Sequence, residues 1–411
     1  MSFNNKIKNF LFCQYTTIDD YFPITKAHFF KFLIDKVTGI SFYKKKEIHV
    51  NFIITSKAEI RVFAPILNYV IDNSIKLNCN LLYAKNDLNF DILLENKIKN
   101  SEHVTIQSSP FYLLNYSHSV NLICLDHQKY NKAHKIGINI IESINKKNSK
   151  TVCIQHGGNQ DDYVKGQLTS KSINQIVFGE IIYNRFIEAG YHKNHVFLTG
   201  NPLHDKLVKT KQNLNLNDSR KIISLITCMH TEYDKKSNPK ACYIEYLKNI
   251  YQSINFEDSI LVIKMHPYDS LTDNLYERVM LELKITTDDI KIVHADNLEY
   301  SVYDIISVSD LVLSRASTII EEALMLKKNV IAYDLFEDGS SMYYDFLLKY
   351  RSYNKIISNA EQLASVIKKN IKKPLYNEND IDELIKNSTY KLDGKSTSRI
   401  IDAIRVISRT Q

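Results

Sequence analysis

The chain has 411 residues, which suits two domains better than one, and its 44% hydrophobic and 24% charged content is enough for ordinary cores. A net charge of +7 favours anionic ligands or an acidic membrane surface but is too diffuse to indicate nucleic acid. No stretch approaches about 18 uninterrupted apolar residues, the N-terminus has no signal-peptide core, and the six cysteines form no Cys-x-x-Cys pair. The expectation is a cytoplasmic protein without a membrane span, a metal or a disulfide framework.

Residues 1–46 are hard to place. Phe29–Ile34 reads as helix or strand, and the lysine run Lys44–Lys46 reads as a solvated turn rather than a phospholipid contact. From Glu47 the pattern becomes regular. A strand over Ile48–Thr55 leads through Ser56 into a helix that carries Pro65, and Leu81–Ala84, Val104–Ile106 and Leu122–Leu125 continue a strand series. Asp126 and His127 form the polar tip of the last of these.

Thr151–Ile154 is a buried strand that delivers Gln155 and His156 to its end, followed by Gly157 and Gly158. The glycines permit a tight turn or close approach to a ligand. His156, Asp161 and Asp162 share the polar loop, and an imidazole or a carboxylate there could take a proton from an acceptor hydroxyl. The plainer reading is a glycine turn with solvated aspartates. Gln175–Gly179 is the next strand, a helix ends at Gly190, Val196–Asp205 closes the first half, and Lys209–Asp218 is a polar linker.

In the second half, Lys221–Ile226 is a strand that opens into Thr227, and Ser259–Lys264 is a strand that stops at Met265, His266 and Pro267. Leu311–Leu313 is a short apolar run followed by Ser314, Ser317 and Thr318, where a helix begins. Free amides and the helix dipole favour a phosphate at such a start, and Glu322, one turn on, could accept from ribose hydroxyls. Read blandly, the same residues are an N-cap serine, a first-turn glutamate and a turn histidine. Three strand tips bearing His, Lys, Ser and Thr point instead to a crevice at the carboxyl edge of an open sheet.

The run from Ser309 through Leu324 to Asn329–Tyr333 resembles the donor domain of GT-B glycosyltransferases, a fold shared with UDP-N-acetylglucosamine 2-epimerases. Lys264-Met265-His266-Pro267 is similar to the His-Pro element of bacterial capsule and surface-polysaccharide transferases that use CMP- or CDP-activated donors. Lys57 and Glu59 stand where the 2-epimerases carry Thr-Arg-Pro-Glu, and Thr199–Asp205 resembles the segment where GT-B chains pass between domains.

The resemblance implies an α/β protein of two Rossmann-like domains facing across a cleft. These would be an acceptor domain over residues 1–208, a donor domain over 219–395, and a C-terminal helix over 396–411 that packs near the first domain. Lys264, His266, Ser317 and Thr318 would then hold the donor phosphate and Glu322 the ribose, with Pro267, Ser314 and Thr227 also on the donor side. His156, Asp161 and His266 would be catalytic, with Gln155, Gly157, Gly158 and Asp162 on the acceptor side.

The expected activity is metal-independent transfer of a sugar, preferably from a CMP-sugar, to a growing capsule or lipopolysaccharide. The nucleotide sugar is the substrate and no cofactor is needed. The acceptor would be a glycan or lipid-linked glycan, met at the inner face of the plasma membrane. A CDP-polyol phosphotransferase of teichoic-acid type, an NDP-sugar 2-epimerase and a non-catalytic sugar-nucleotide-binding subunit are the alternatives. The 2-epimerases show His-x-Glu-Ala-Gly where this chain has His156-Gly157-Gly158, which places that reading behind the transferase.

Overall fold

The computed structural model describes residues 48–84, 96–106, 119–128, 132–145, 150–159, 161–210, 219–228, 231–266, 275–294, 299–315, 317–336, 354–372 and 377–410. Phe29–Ile34, Lys44–Lys46, Pro267, the side chains of Asp161 and Asp162, and most of the Lys209–Asp218 linker lie outside the described residues. The chain divides into two compact units. Unit 1 comprises Met1–Gly157, Tyr163–Asp205 and Thr389–Gln411, and unit 2 comprises Gly158–Asp162 and Lys206–Ser388.

Unit 1 holds seven strands: β1 (Ile48–Ile54), β2 (Leu77–Tyr83), β3 (Val104–Thr105), β4 (Ser119–Ile123), β5 (Lys150–Ile154), β6 (Asn174–Val177) and β7 (Val196–Leu198). Their order is β3-β2-β1-β4-β5-β6-β7, and every pair is parallel. Unit 2 holds β8 (Lys221–Ile226), β9 (Ser259–Lys264), β10 (Ile290–Val293), β11 (Leu311–Ser314), β12 (Asn329–Tyr333) and β13 (Asn354–Ile357). Their order is β10-β9-β8-β11-β12-β13, again all parallel. Each sheet is therefore the doubly wound α/β arrangement. Its strand order reverses between β1 and β4 in one unit and between β8 and β11 in the other.

Parallel strands need crossovers, and helices cover the sheets. The helix Lys57–Asp72 starts with a capping box in which Ser56 and Glu59 satisfy each other's amides, and it runs through Pro65. On the unit 1 core it is joined by the C-terminal helix Ser396–Arg409, whose Ile400, Ile401, Ile404 and Ile407 recur at helical spacing and are buried. Asp205 caps that helix by accepting from the backbone N–H of Ser396 and Thr397, both at 2.8 Å. Gly200 lies beside it with φ +89°, where an added Cβ would stand 2.5 Å from Ser396 Oγ and 2.7 Å from the Thr389 carbonyl oxygen. Unit 2 buries a tyrosine-rich core that includes Tyr233, Tyr243, Tyr246, Tyr251, Tyr276 and Tyr333. Among the described residues no helix is long and apolar enough to cross a membrane.

A polar ladder crosses the first sheet. Asn80 Nδ2 donates to Asn51 Oδ1 (2.9 Å), Asn51 Nδ2 to Asn121 Oδ1 (2.8 Å), and Asn121 Nδ2 to the Lys150 carbonyl (3.2 Å). These asparagines stand opposite one another on β2, β1 and β4 and are buried. A one-residue slip of β1 would turn Asn51 to the other face, so the ladder pins the register. Asn51→Ala should cost at least about 1–3 kcal/mol, because it leaves buried amide groups of Asn80 and Asn121 unsatisfied. Val406→Ala, on the 51% exposed side of the last helix, should stay within about 0.5 kcal/mol. Urea denaturation of the two variants compares them directly.

Candidate functional site

The carboxyl edge of the unit 2 sheet gathers the polar strand tips. Leaving β8, Thr227 accepts at Oγ1 from the backbone N–H of His266, which follows β9, at 2.7 Å. Those two residues are thus brought together. Lys264 is buried, and its ammonium donates to the His294 carbonyl at the end of β10, 2.9 Å away. Ser314 is also buried, and its hydroxyl donates to the Ile226 carbonyl at 2.9 Å. It ties the tips of β11 and β8 across the point where the strand order reverses. This backbone tie is a different position from the ligand contact that the sequence suggested.

Ser317 and Thr318 are partly exposed and precede the helix Ile319–Met325. Ser317 Oγ accepts from the Ile319 N–H at 3.3 Å, and the Thr318 side chain makes no capping bond to the helix. Every residue of this helix is buried, including two consecutive glutamates. The phenol of Tyr303 donates to Glu322 Oε1 at 3.4 Å. Glu321 accepts from Asn159 Nδ2 at 3.4 Å, and the same Nδ2 donates to Ser388 Oγ at 3.1 Å. Burial pushes the Glu321 carboxyl up to about 7, against the bonds from Ser388 and Asn159 and with help from the neighbouring Glu322 charge.

Beyond Ser314 the chain supplies a group that motif reading passed over. Arg315 and Asp334, 2% and 1% exposed, pair at 2.8 Å between the tips of β11 and β12. The guanidinium lies 4.9 Å over the Tyr233 ring, and the Tyr233 oxygen accepts from the Leu335 N–H at 3.1 Å. Burial and the Asp334 charge push the Tyr233 phenol up. An arginine directly after a strand was the available signal, since burying its charge requires an acid from an adjacent strand.

In unit 1 the polar tips divide into braces and a cluster. Gln155 is buried and bridges two strand ends, accepting from the Phe178 N–H (2.7 Å) and donating to the Gly157 carbonyl (2.8 Å). Gly157 and Gly158 are half-buried. Asp126 accepts from Ser170 Oγ, Ser172 Oγ and the Ser172 N–H, at 3.0, 2.6 and 2.7 Å, which anchors that loop. Glu59, named in the sequence only as a motif match, is fully buried at the point where the strand order reverses. Its carboxyl accepts from Thr55 and Ser56 at the tip of β1 and from the Cys124 N–H at the tip of β4. Burial pushes it up to about 7 against these donors.

His156 is half-buried beside His127 and His134, with ring centroids 5.7 and 6.3 Å away. Burial first, then its two histidine neighbours, push it down to about 3. Asp161 and Asp162 open the helix Asp161–Gln167. Among the described residues no group of three or more His, Cys, Asp or Glu side chains is arranged to hold a metal ion.

Comparison with known proteins bears on this edge of unit 2. Residues 158–405 match the profile of the UDP-N-acetylglucosamine 2-epimerase family. The chain belongs to that family. No curated protein matches the sequence. Among solved structures, the UDP-GlcNAc 2-epimerase of Neisseria meningitidis bound to UDP-GlcNAc shares 14% identity at a TM-score of 0.54, covering 88% of this chain and 100% of its own. The Methanocaldococcus jannaschii UDP-GlcNAc 2-epimerase in complex with UDP-GlcNAc and UDP shares 15% at 0.53, covering 86% and 99%. The wall teichoic acid polymerase TagF shares 15% at 0.55, covering 98% of each chain. The fold is thus the GT-B-like α/β fold of these epimerases and of TagF.

The raised Glu321 carboxyl has a consequence for stability in this epimerase-family chain. Its folded value, about 7, lies above the ordinary 4.5, so its contribution is full below about pH 4.5 and is lost as pH rises through about 7. Glu321→Gln should flatten that part of the stability profile. Urea midpoints across this range check it, and an unchanged slope would show that Glu321 ionises normally.

Proposed function

We propose that the chain is an enzyme acting on a nucleotide-activated sugar, and that its reaction is 2-epimerisation of a UDP-N-acetylhexosamine. The family match over residues 158–405 carries this reading, because it spans all the strand tips that gather in unit 2. Inverting C2 requires removing a proton that is not acidic on an intact sugar. The C2–H electrons can form a C1–C2 double bond only if the C1–O electrons leave with the nucleotide phosphate. Return of the proton to the opposite face, with the phosphate returning to C1, completes the inversion.

Such a reaction needs a cradle for the departing phosphate and a proton acceptor, with little other covalent help. Thr227 with His266, and Ser317 with Thr318, suit the phosphate, being hydroxyls and amides at the carboxyl edge of a doubly wound sheet. Lys264 would add a positive charge behind them. Glu322 would be the ribose contact. Glu321, whose buried carboxyl is raised to about 7, or His266 would be the proton acceptor.

A second reading, transfer of a CMP- or CDP-activated group to a glycan or lipid-linked acceptor, is favoured by one observation. The segment His156-Gly157-Gly158 carries an imidazole and no acid. In that reading His156 is the base for the acceptor hydroxyl, and the protein meets its acceptor peripherally at a membrane.

The test is proton NMR of UDP-N-acetylglucosamine incubated with the protein, where new anomeric signals of the C2 epimer are expected. Ser317→Ala should weaken UDP binding by about 0.5–1.5 kcal/mol in calorimetry, the worth of one hydrogen bond. No epimer, together with thermal stabilisation by CMP or CDP but not UDP, would replace the first reading with the second.

A further inference from the structure

The unit 2 sheet carries an arginine–aspartate pair at each edge, and the two pairs differ in burial. Arg220 and Asp289 precede β8 and β10, and their side chains meet at 2.8 Å while 21% and 24% exposed. Arg315 and Asp334 follow β11 and β12, and their side chains meet at the same distance while only 3% and 2% exposed. The first pair keeps part of its hydration. The second gives up nearly all of it, and apolar residues of similar volume often hold a fold as well as a buried pair does. What a buried pair can add is one fixed geometry.

The surroundings of Arg315 fix that geometry from several elements. Asp334 uses both oxygens, Oδ2 on Arg315 Nη1 at 2.8 Å and Oδ1 on the Phe336 N–H at 2.9 Å. The guanidinium lies 4.9 Å over the ring of Tyr233, which sits in the short helix Thr231–Asp234 after β8. That ring meets Tyr243 and Tyr246 edge-on, with centroids 5.7 and 6.0 Å away, and its oxygen accepts from the Leu335 N–H at 3.1 Å. Tyr246 in turn stacks on Tyr333 at the end of β12. One buried cation thus ties together the chain that follows β8, β11 and β12.

The residues flanking Arg315 are the ones suited to a phosphate. Ser314 before it is bound to the Ile226 carbonyl, and Ser317, two residues after it, accepts from the Ile319 N–H. Hydrogen bonds weaken steeply with misalignment, and a phosphate needs several donors aimed at once. A shift at the end of β11 would therefore weaken phosphate binding more than apolar contacts. Asp334 neutralises the guanidinium, so its effect on a ligand is one of placement.

We propose that the Arg315–Asp334 pair is the positioning element of the phosphate site, fixing the end of β11 so that Ser317 and Thr318 meet the phosphate of a bound nucleotide. Arg315 acts through these residues and does not touch the phosphate itself. The proposal rests on the nucleotide reading of this edge, in either its uridine or its cytidine form.

The experiment measures affinities of the full-length protein by NMR titration, for UDP against uridine and for CDP against cytidine. The ratio within each couple isolates what the phosphates contribute. In the double variant Arg315→Met with Asp334→Leu, the urea midpoint should stay near that of wild type or rise. The diphosphate-to-nucleoside ratio should fall at least about tenfold, the loss expected for one hydrogen bond to a charged group, with nucleoside affinity unchanged. Arg220→Met with Asp289→Leu, at the opposite edge, should leave the ratio as in wild type. If the first double variant fails to fold, Arg315→Lys keeps the charge without the planar fork and should show the same selective loss. An unchanged ratio in a folded Arg315 variant would overturn the proposal, as would equal losses of nucleotide and nucleoside, which mark a merely structural pair. A wild-type protein that binds UDP and CDP no better than the nucleosides would instead overturn the nucleotide reading, and the proposal with it.

Discussion

All strands within each sheet run the same way, and that constraint decides where chemistry can occur. A parallel sheet sends every strand's carboxyl end to one edge, so polar residues that end strands meet there whatever their distance in sequence. The reversal of strand order should then leave a gap at that edge, yet in both units the chain fills it. Glu59 occupies the gap between β1 and β4 with bonds to both tips, and the Ser314 hydroxyl closes the one between β8 and β11. Beside these braces stand Thr227 with His266 in unit 2, and His156 with His127 and His134 in unit 1.

Much of this edge could be read from the chain itself. Short apolar runs ending in Thr227, His266, Gln155 and His156 mark strand tips, because a run of four to six buried residues is too short for a helix. What could not be read is which tip residues face outward. Ser314, Gln155 and Asp126 are polar residues in the positions a ligand contact would occupy. Their partners Ile226, Phe178 and Ser172 lie 88, 23 and 46 residues away, so only the folded register shows that they brace the backbone. His134 was hidden for the opposite reason. It lies inside a helical pattern, where a lone histidine carries no signal until a second strand tip is placed against it.

The epimerase family and the transferase resemblance share the donor-side pattern, so the sequence alone put the transferase first, whereas the family match favours the epimerase alternative. In either reading Ser317, Thr318 and Glu322 are proposed to meet the departing nucleotide, which says nothing about where the sugar goes next. The distinction lies in the acid–base groups. Here the buried carboxyls are adjacent in sequence, and a helix buried on all sides is needed before Glu321 becomes as secluded as Glu322. Burial raises both Glu59 and Glu321 to about 7, and Glu59 is a structural clasp, so a raised value alone does not mark a catalytic group.

The order in which the two units are written along the chain bears on how the molecule is made. Unit 2 draws almost wholly on the continuous stretch 206–388, whereas the unit 1 core is completed by Ile400, Ile401, Ile404 and Ile407. At elongation rates of about 5–20 residues per second, roughly 10–40 s separate synthesis of Asp205 from synthesis of the segment it caps. Until then the unit 1 core has the helix Lys57–Asp72 but lacks those four isoleucines. The unit 1 core is therefore completed only once the helix Ser396–Arg409 has been made, after the whole of unit 2.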